Sequence, residues 1–173
     1  CLCLILFSLL LPNNLIARAE PNASIIYYVT GTADVNPPWT CTARSDGGSD
    51  CPSLRAAVVA ANSHPGWDTI LLKHNTIYQL TIPLTSTDRP QTGDLDITQH
   101  LTFGYATICI FNCGATIQGG PSFNDRVLEV YAGIRVDMTN VTVRGGKNTV
   151  YDGGGIYNAG ILTLTHSTVY NNQ

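Results

Sequence analysis

The sequence is short of charge. Asp, Glu, Lys and Arg together make up 12% of it, against roughly a quarter in an ordinary globular domain. Exposed helix faces are built largely from Lys and Glu, so a fold of long surface helices is excluded. Basic residues number 9 against 12 acidic ones, for a net charge of -3, and they are scattered. Without a basic patch, nucleic acid is excluded as a partner. No apolar run reaches the length needed to span a bilayer. What takes the place of charge is Gly, Thr, Asn and Ser around a 44% hydrophobic content, the profile of an all-β domain with many turns and one core.

The first residues stand apart. Leu2 to Leu11 is apolar, Pro12-Asn13-Asn14 interrupts it, and Ala17-Arg18-Ala19 forms a small-x-small site before Glu20. This reads as a signal peptide, residues 1–19, without its basic n-region; a buried strand or helix is the alternative. The chain is therefore expected to be exported, to the cell surface or beyond. Cleavage would remove Cys1 and Cys3 and leave Cys41, Cys51, Cys109 and Cys113. Outside the cytoplasm an even set favours disulfides, and no His lies within zinc-ligand spacing of either pair. Cys41 and Cys51 flank a Gly-Gly loop, and a bridge there is expected to stabilise by roughly 2–3 kcal/mol. For Cys109 and Cys113, a bridge and two buried thiols fit equally.

Downstream, Ile25 to Thr30 is β-rich and predicts a first strand. Ser53 to Asn62 predicts the one helix, with Pro52 in its first turn, Asp50 or Cys51 as cap, and a stripe of Leu54, Ala57, Val58 and Ala61. From Asp68 the pattern alternates with period two: Thr69 to Leu72, Ile77 to Thr81, a polar loop from Thr85 to Thr92, then Gly93 to Ile97. In the last of these, Leu95 and Ile97 share one face, Asp94 and Asp96 the other. The C-terminal third repeats. Thr116-Ile117-Gln118 returns as Thr142-Val143-Arg144 and as Thr168-Val169-Tyr170; Val130-Tyr131 returns as Ile156-Tyr157; Val136 to Thr139 returns as Leu162 to Thr165. One period of about 26 residues in three registers matches the coil of a parallel β-helix, with a β-sandwich as the weaker alternative. The leucine-rich consensus is missing.

At this point the residues resemble a known family. Cys51-Pro52-Ser53-Leu54-Arg55-Ala56-Ala57-Val58 followed by Ala60-Ala61-Asn62 resembles the CSLREA domain, the N-terminal start of many secreted bacterial right-handed β-helix proteins of the pectate-lyase-like superfold. Asp68-Thr69-Ile70 and Gly93 to Thr98 agree with it, and Gly153 to Gly160 is similar to the Gly-Gly repeats of polymorphic outer-membrane proteins. The likeness covers residues 25 to 172, with Pro52 inserted and Ala56 where the motif has Glu. It implies a right-handed β-helix: a cap and first coils over 20–100, regular coils over 101–173, and further coils beyond Gln173. It implies no common reaction.

Chemistry is sparse in the pattern. Polysaccharide lyases on such folds use carboxylate-held Ca²⁺ with an Arg base, and the nearest match is Asp94 with Asp96, so Ca²⁺ is the one cofactor the pair admits. With no third carboxylate or basic partner near them in sequence, the two are expected to face solvent. Arg126, Arg135 and Arg144 are expected to be solvated, since their spacing does not follow the coil. His64, His74, His100 and His166 are expected at the surface, and no nucleophile elbow accompanies them. No catalytic residue is assigned. The expected role is a monomeric surface scaffold, adhesin-like or in contact with an extracellular polysaccharide or a host-cell glycan. The rivals are a polysaccharide lyase or hydrolase with its site in coils beyond Gln173, and an autotransporter-type passenger. N-terminal sequencing of the secreted product should start at Glu20; retention of the apolar segment would contradict the export assignment.

Overall fold

A strand with alternating apolar and polar residues buries one face, and its backbone groups need neighbours in matching register. In a computed structural model, which describes residues 23–85, 91–110, 113–148 and 152–173, the chain meets that need by passing repeatedly through the same three positions. The expected signal peptide and part of the polar loop from Thr85 to Thr92 lie outside the described residues. The chain opens with β1 (Ile26–Val29), β2 (Thr42–Ala43) and β3 (Ser49–Cys51), then helix α1 (Leu54–Asn62). A trio follows: β4 (Trp67–Leu72), β5 (Thr76–Leu80) and β6 (Leu95–Ile97). It returns as β7 (His100–Tyr105), β8 (Ala115–Gly119) and β9 (Leu128–Val130), then as β10 (Arg135–Thr139), β11 (Val141–Arg144) and β12 (Ile156–Asn158). β13 (Ile161–Thr165) and β14 (Thr168–Tyr170) begin another pass.

Like strands stack on like. One sheet runs β13-β10-β7-β4-β1-β3-β2, a second β14-β11-β8-β5, a third β12-β9-β6. Among the described residues all these pairings are parallel except β2 with β3. Two of the expected registers are seen as drawn: Thr116, Thr142 and Thr168 are neighbours, and Val136 to Thr139 lie beside Leu162 to Thr165. The third is corrected. Ile156 pairs with Leu128 and Asn158 with Val130, two positions from the expected match, because the link between second and third sheets varies in length from pass to pass.

Stacking makes the core. Tyr27, Ile70, Phe103 and Met138 form one interior column, and Tyr78, Ile117 and Val143 another, all buried. In the last described row the columns end at Leu164 and Val169, 40% and 44% exposed. The turn from first to second sheet uses left-handed backbone at Asn75, Asn140 and His166, with φ of 53°, 55° and 50°, and Asn tolerates this conformation better than most residues. Asn140 is the sole residue between β10 and β11. These corners also stack: Asn75 N–H donates to Gly114 O, Ala115 N–H to Asn140 O, and Asn140 N–H to Thr165 O.

Helix α1 has the predicted stripe buried and lies against β1, β3, β4 and β6. Its cap is Ser53, whose Oγ accepts from Ala56 N–H at 3.1 Å, so Pro52 sits outside the first turn. The polar side of the helix is not solvated either. Arg55 is buried and donates through Nε and Nη2 to both Asp34 oxygens, at 2.8 and 3.0 Å. It also donates to the Gly93 and Asp94 carbonyls, at 2.7 and 2.9 Å, while Asp34 accepts from Thr81 and Ile82 N–H. One guanidinium thus joins the segment after β1, the end of β5 and the entry to β6. Cys41–Cys51 is bridged as expected, and Cys109–Cys113 is bridged too. Both are compatible with an exported protein, and no helix among the described residues is long and apolar enough to cross a membrane.

Removing Arg55 leaves Asp34 as an uncompensated buried charge. Arg55→Ala should cost about 3–5 kcal/mol in urea unfolding, and adding Asp34→Ala should recover part of the loss. A loss under about 0.5 kcal/mol would mean that the pair carries no weight.

Candidate functional site: a buried acidic cluster at the three-stranded sheet

The strands of the three-stranded sheet are short; β6 and β9 read apolar–acid–apolar, and β12 reads Ile156-Tyr157-Asn158. Leu95, Ile97, Leu128 and Val130 turn inward to the core. Asp96, Glu129 and Tyr157 occupy matching positions on the opposite face. The alternation expected for Gly93 to Ile97 therefore holds, but solvent exposure of its aspartates does not. Asp94 and Asp96 are 0% and 1% exposed.

Asp94 is met by Arg126, which precedes β9. Its Nε donates to Asp94 Oδ2 and its Nη2 reaches Glu129 Oε2, each at 2.5 Å. The guanidinium lies 5.3 Å from the centre of the Tyr157 ring. Arg126 is thus buried and paired, and its expected solvation is corrected: the fold brings it to carboxylates from which sequence separates it. Asp125 supports the arrangement from beneath, accepting from Asp94 N–H at 3.1 Å, Arg126 N–H at 2.9 Å and Asn148 Nδ2 at 3.2 Å. Gly93 is required at this entry. It has φ 68°, and a Cβ there would lie 2.2 Å from Asp125 Oδ2.

Burial, then the Asp96 and Asp125 charges, push the Asp94 carboxyl up to about 8, against the pull of Arg126. Burial works against the Arg126 charge as well, but the hydrogen bond and charge of Asp94, with Glu129 and Asp125, outweigh it and raise its pKa. Carboxyl oxygens of Asp94, Asp96 and Glu129 all lie within 4.8 Å of one another, so these three are the residues able to hold a metal here. A raised carboxyl beside others is also the arrangement of a general acid. Enclosure decides against that use on a polymer, since a sugar ring cannot reach groups as covered as Asp94 and Asp96.

The remaining sequence candidates are dispersed. Arg135 lies over the Trp67 ring at 5.4 Å, and Arg144 joins an outward ladder. In that ladder Gln118 Nε2 donates to Gln79 Oε1, Arg144 Nε to Gln118 Oε1, and Arg144 Nη1 to Tyr170 Oη. Beside it, Thr116, Thr142 and Thr168 line a groove of about 520 Å³ with Asn75, Asn140 and His166. His74 is half-buried, stacked on Tyr105 and near Cys109 and Cys113, a proximity that spacing along the chain does not reveal. His64 faces the buried Asp68 at 3.1 Å. The chain matches no family model, no curated protein and no solved structure.

Sequence reasoning found Asp94 and Asp96 and missed Arg126, Glu129 and Asp125. A signal for Glu129 is present: Leu128-Glu129-Val130 repeats the apolar–acid–apolar pattern of Leu95-Asp96-Ile97. Between the ordinary value of 3.8 and about 8, folded Asp94 keeps a proton that the unfolded chain has released. Its contribution to stability is thus complete at low pH and is lost as pH rises toward 8. In buffer free of divalent cations, Asp94→Asn should gain stability relative to the parent between about pH 5 and pH 8. Parallel urea midpoints across that range would refute a protonated Asp94.

Proposed function

We propose that this chain is the cap and opening coils of an exported right-handed parallel β-helix whose outer wall contacts carbohydrate without chemistry. The observation that carries the reading is the groove beside the second sheet, where in-register stacking sets Thr116, Thr142 and Thr168 in a row. Repeated hydroxyls and amides at strand spacing, about 4.8 Å, suit hydrogen bonding along an extended glycan. The neighbouring Gln79, Gln118, Arg144 and Tyr170 extend the polar wall and add an aromatic face. The CSLREA-like stretch, Cys51 to Asn62, supports reading α1 as a lid on the first coil, where interior side chains and strand edges need cover. The two disulfides fit an oxidising destination.

The rival reading, a polysaccharide lyase or hydrolase, is favoured by the meeting of Asp94, Asp96, Glu129 and Arg126. Their enclosure weighs against it in this part of the chain. The test is titration of neutral and acidic polysaccharides against the full chain, by calorimetry, with a parallel assay for unsaturated products and new reducing ends. Saturable binding without turnover is expected. Thr142→Val combined with Thr168→Val should weaken it by about 1–2 kcal/mol, roughly tenfold in Kd. Absence of binding to every glycan, or turnover lost in Asp94→Asn, would overturn the scaffold reading.

A further inference from the structure

The two disulfides differ in what they can do. Cys109–Cys113 spans a sequence separation of 4, against 10 for Cys41–Cys51, and the shorter loop gains less from closure, so it is the weaker staple. It is also the more open. Cys51 is 0% exposed, whereas Cys109 and Cys113 are both half-buried, and Cys109 is flanked by Ile108 and Ile110, 97% and 81% exposed. A ring nitrogen of His74, from the preceding pass, and the two sulfurs lie within 4.8 Å of one another. His74 is held in place, its ring stacked on Tyr105 with centroids 4.1 Å apart and planes at 9°. Nε2 lies 2.8 Å from Thr107 O; a carbonyl only accepts, so Nε2 carries the hydrogen. Nδ1 is then an acceptor, and it is buried with no hydrogen-bond partner among the described residues. An orphaned buried acceptor is costly. The intact bridge has no hydrogen to give it, but a thiol released from that bridge does.

We propose that Cys109–Cys113 is a thiol–disulfide exchange site for a cysteine carried on an apolar stretch of polypeptide, with His74 as its proton partner. An incoming thiolate attacks one sulfur. A new S–S bond forms as the Cys109–Cys113 bond breaks, and the electron pair passes to the other sulfur. The proton given up by the incoming thiol is matched by one on His74 Nδ1, which stabilises the departing thiolate or protonates it. One thiol enters, one thiol appears on this chain, and a mixed disulfide joins the two molecules. The freed cysteine then returns and expels the partner, or a second partner thiol resolves the link. In the second case two partner thiols are oxidised to a disulfide and this chain keeps two thiols. A thiolate beside an imidazolium is the nucleophilic form of cysteine, so the same pair serves the return step. The flanks select the partner: Ile108 and Ile110 present apolar side chains to solvent beside the sulfur, and a small polar thiol gains nothing from covering them. The chemistry is independent of glycan binding, although Cys113 also borders the Thr-lined groove.

The experiment mixes the full, oxidised chain near neutral pH with a cysteine peptide bearing leucine on either side, quenches with acid, and maps the disulfides by mass spectrometry. The mixed disulfide is expected on Cys109 or Cys113, formed at least about tenfold faster than on Cys41 or Cys51. Both bridges sit in one molecule, so this comparison needs no variant. His74→Gln should slow the exchange by about threefold or more while the circular dichroism stays that of the parent. After selective reduction of the pair, thiolate absorbance at about 240 nm should appear at higher pH in His74→Gln than in the parent. Glutathione should react more slowly than the peptide. Equal rates at the two bridges would overturn the site. An exchange rate or a thiolate titration unmoved by His74→Gln would overturn the proton partner, and glutathione matching the leucine-flanked peptide would overturn the polypeptide class.

Discussion

The constraint on which everything else depends is parallel, in-register stacking of one pass of chain on the next. It leaves no freedom about neighbours: whatever occupies a strand position touches the equivalent residue of the passes on either side. Inward positions must therefore be apolar in every pass, and they are, from Tyr27 through Ile70 and Phe103 to Met138. Outward positions become continuous rows, so one Thr on a surface turns into three on a line. The low charge of the sequence follows from the same rule, because like charges stacked directly over each other repel.

Where the chain does bury charge, it uses arginine as a tie between passes. Arg55 joins the helix to the segment after β1 and to the entry of β6, and Arg126 joins the entries of β6 and β9 to Glu129. Both act near Gly93 and Asp94, where the link from the second sheet to the third enters β6. That entry lacks the regular geometry that satisfies strand backbone, and guanidinium groups supply donors to its carbonyls and carboxylates. Such pairs add little over a well-packed apolar substitute, but breaking one partner is costly. They set the geometry of this corner more than they add to overall stability.

Much of this architecture is legible in the sequence, and the illegible part has a physical cause. The Thr-apolar repeats at 116, 142 and 168 are in phase because β8, β11 and β14 pair in register, each on the one before. The helix stripe and the Cys41–Cys51 bridge are local, so spacing reveals them. The Val130–Ile156 match fails by two positions because the links into the third sheet carry no stacking rule on length. The cluster around Asp94 is harder still. Arg126 is 32 residues away along the chain, and its burial follows from side-chain reach, to which hydrophobic pattern is blind. Asp96 reads as a surface residue by alternation, yet it is buried beside Glu129 of the next pass.

The single-residue turn at Asn140 bears on how such a chain tolerates changes in length. Between β10 and β11 there is no slack, and the side chains on either side are committed to inside or outside. An added residue would exchange the two faces of β11, placing Thr142 in the core and Val143 in water. The segments leading into the third sheet are longer and uneven in length, with room to absorb an added residue. A change of length in those segments would leave the Thr-lined wall unchanged in spacing, whereas one at Asn140 would not.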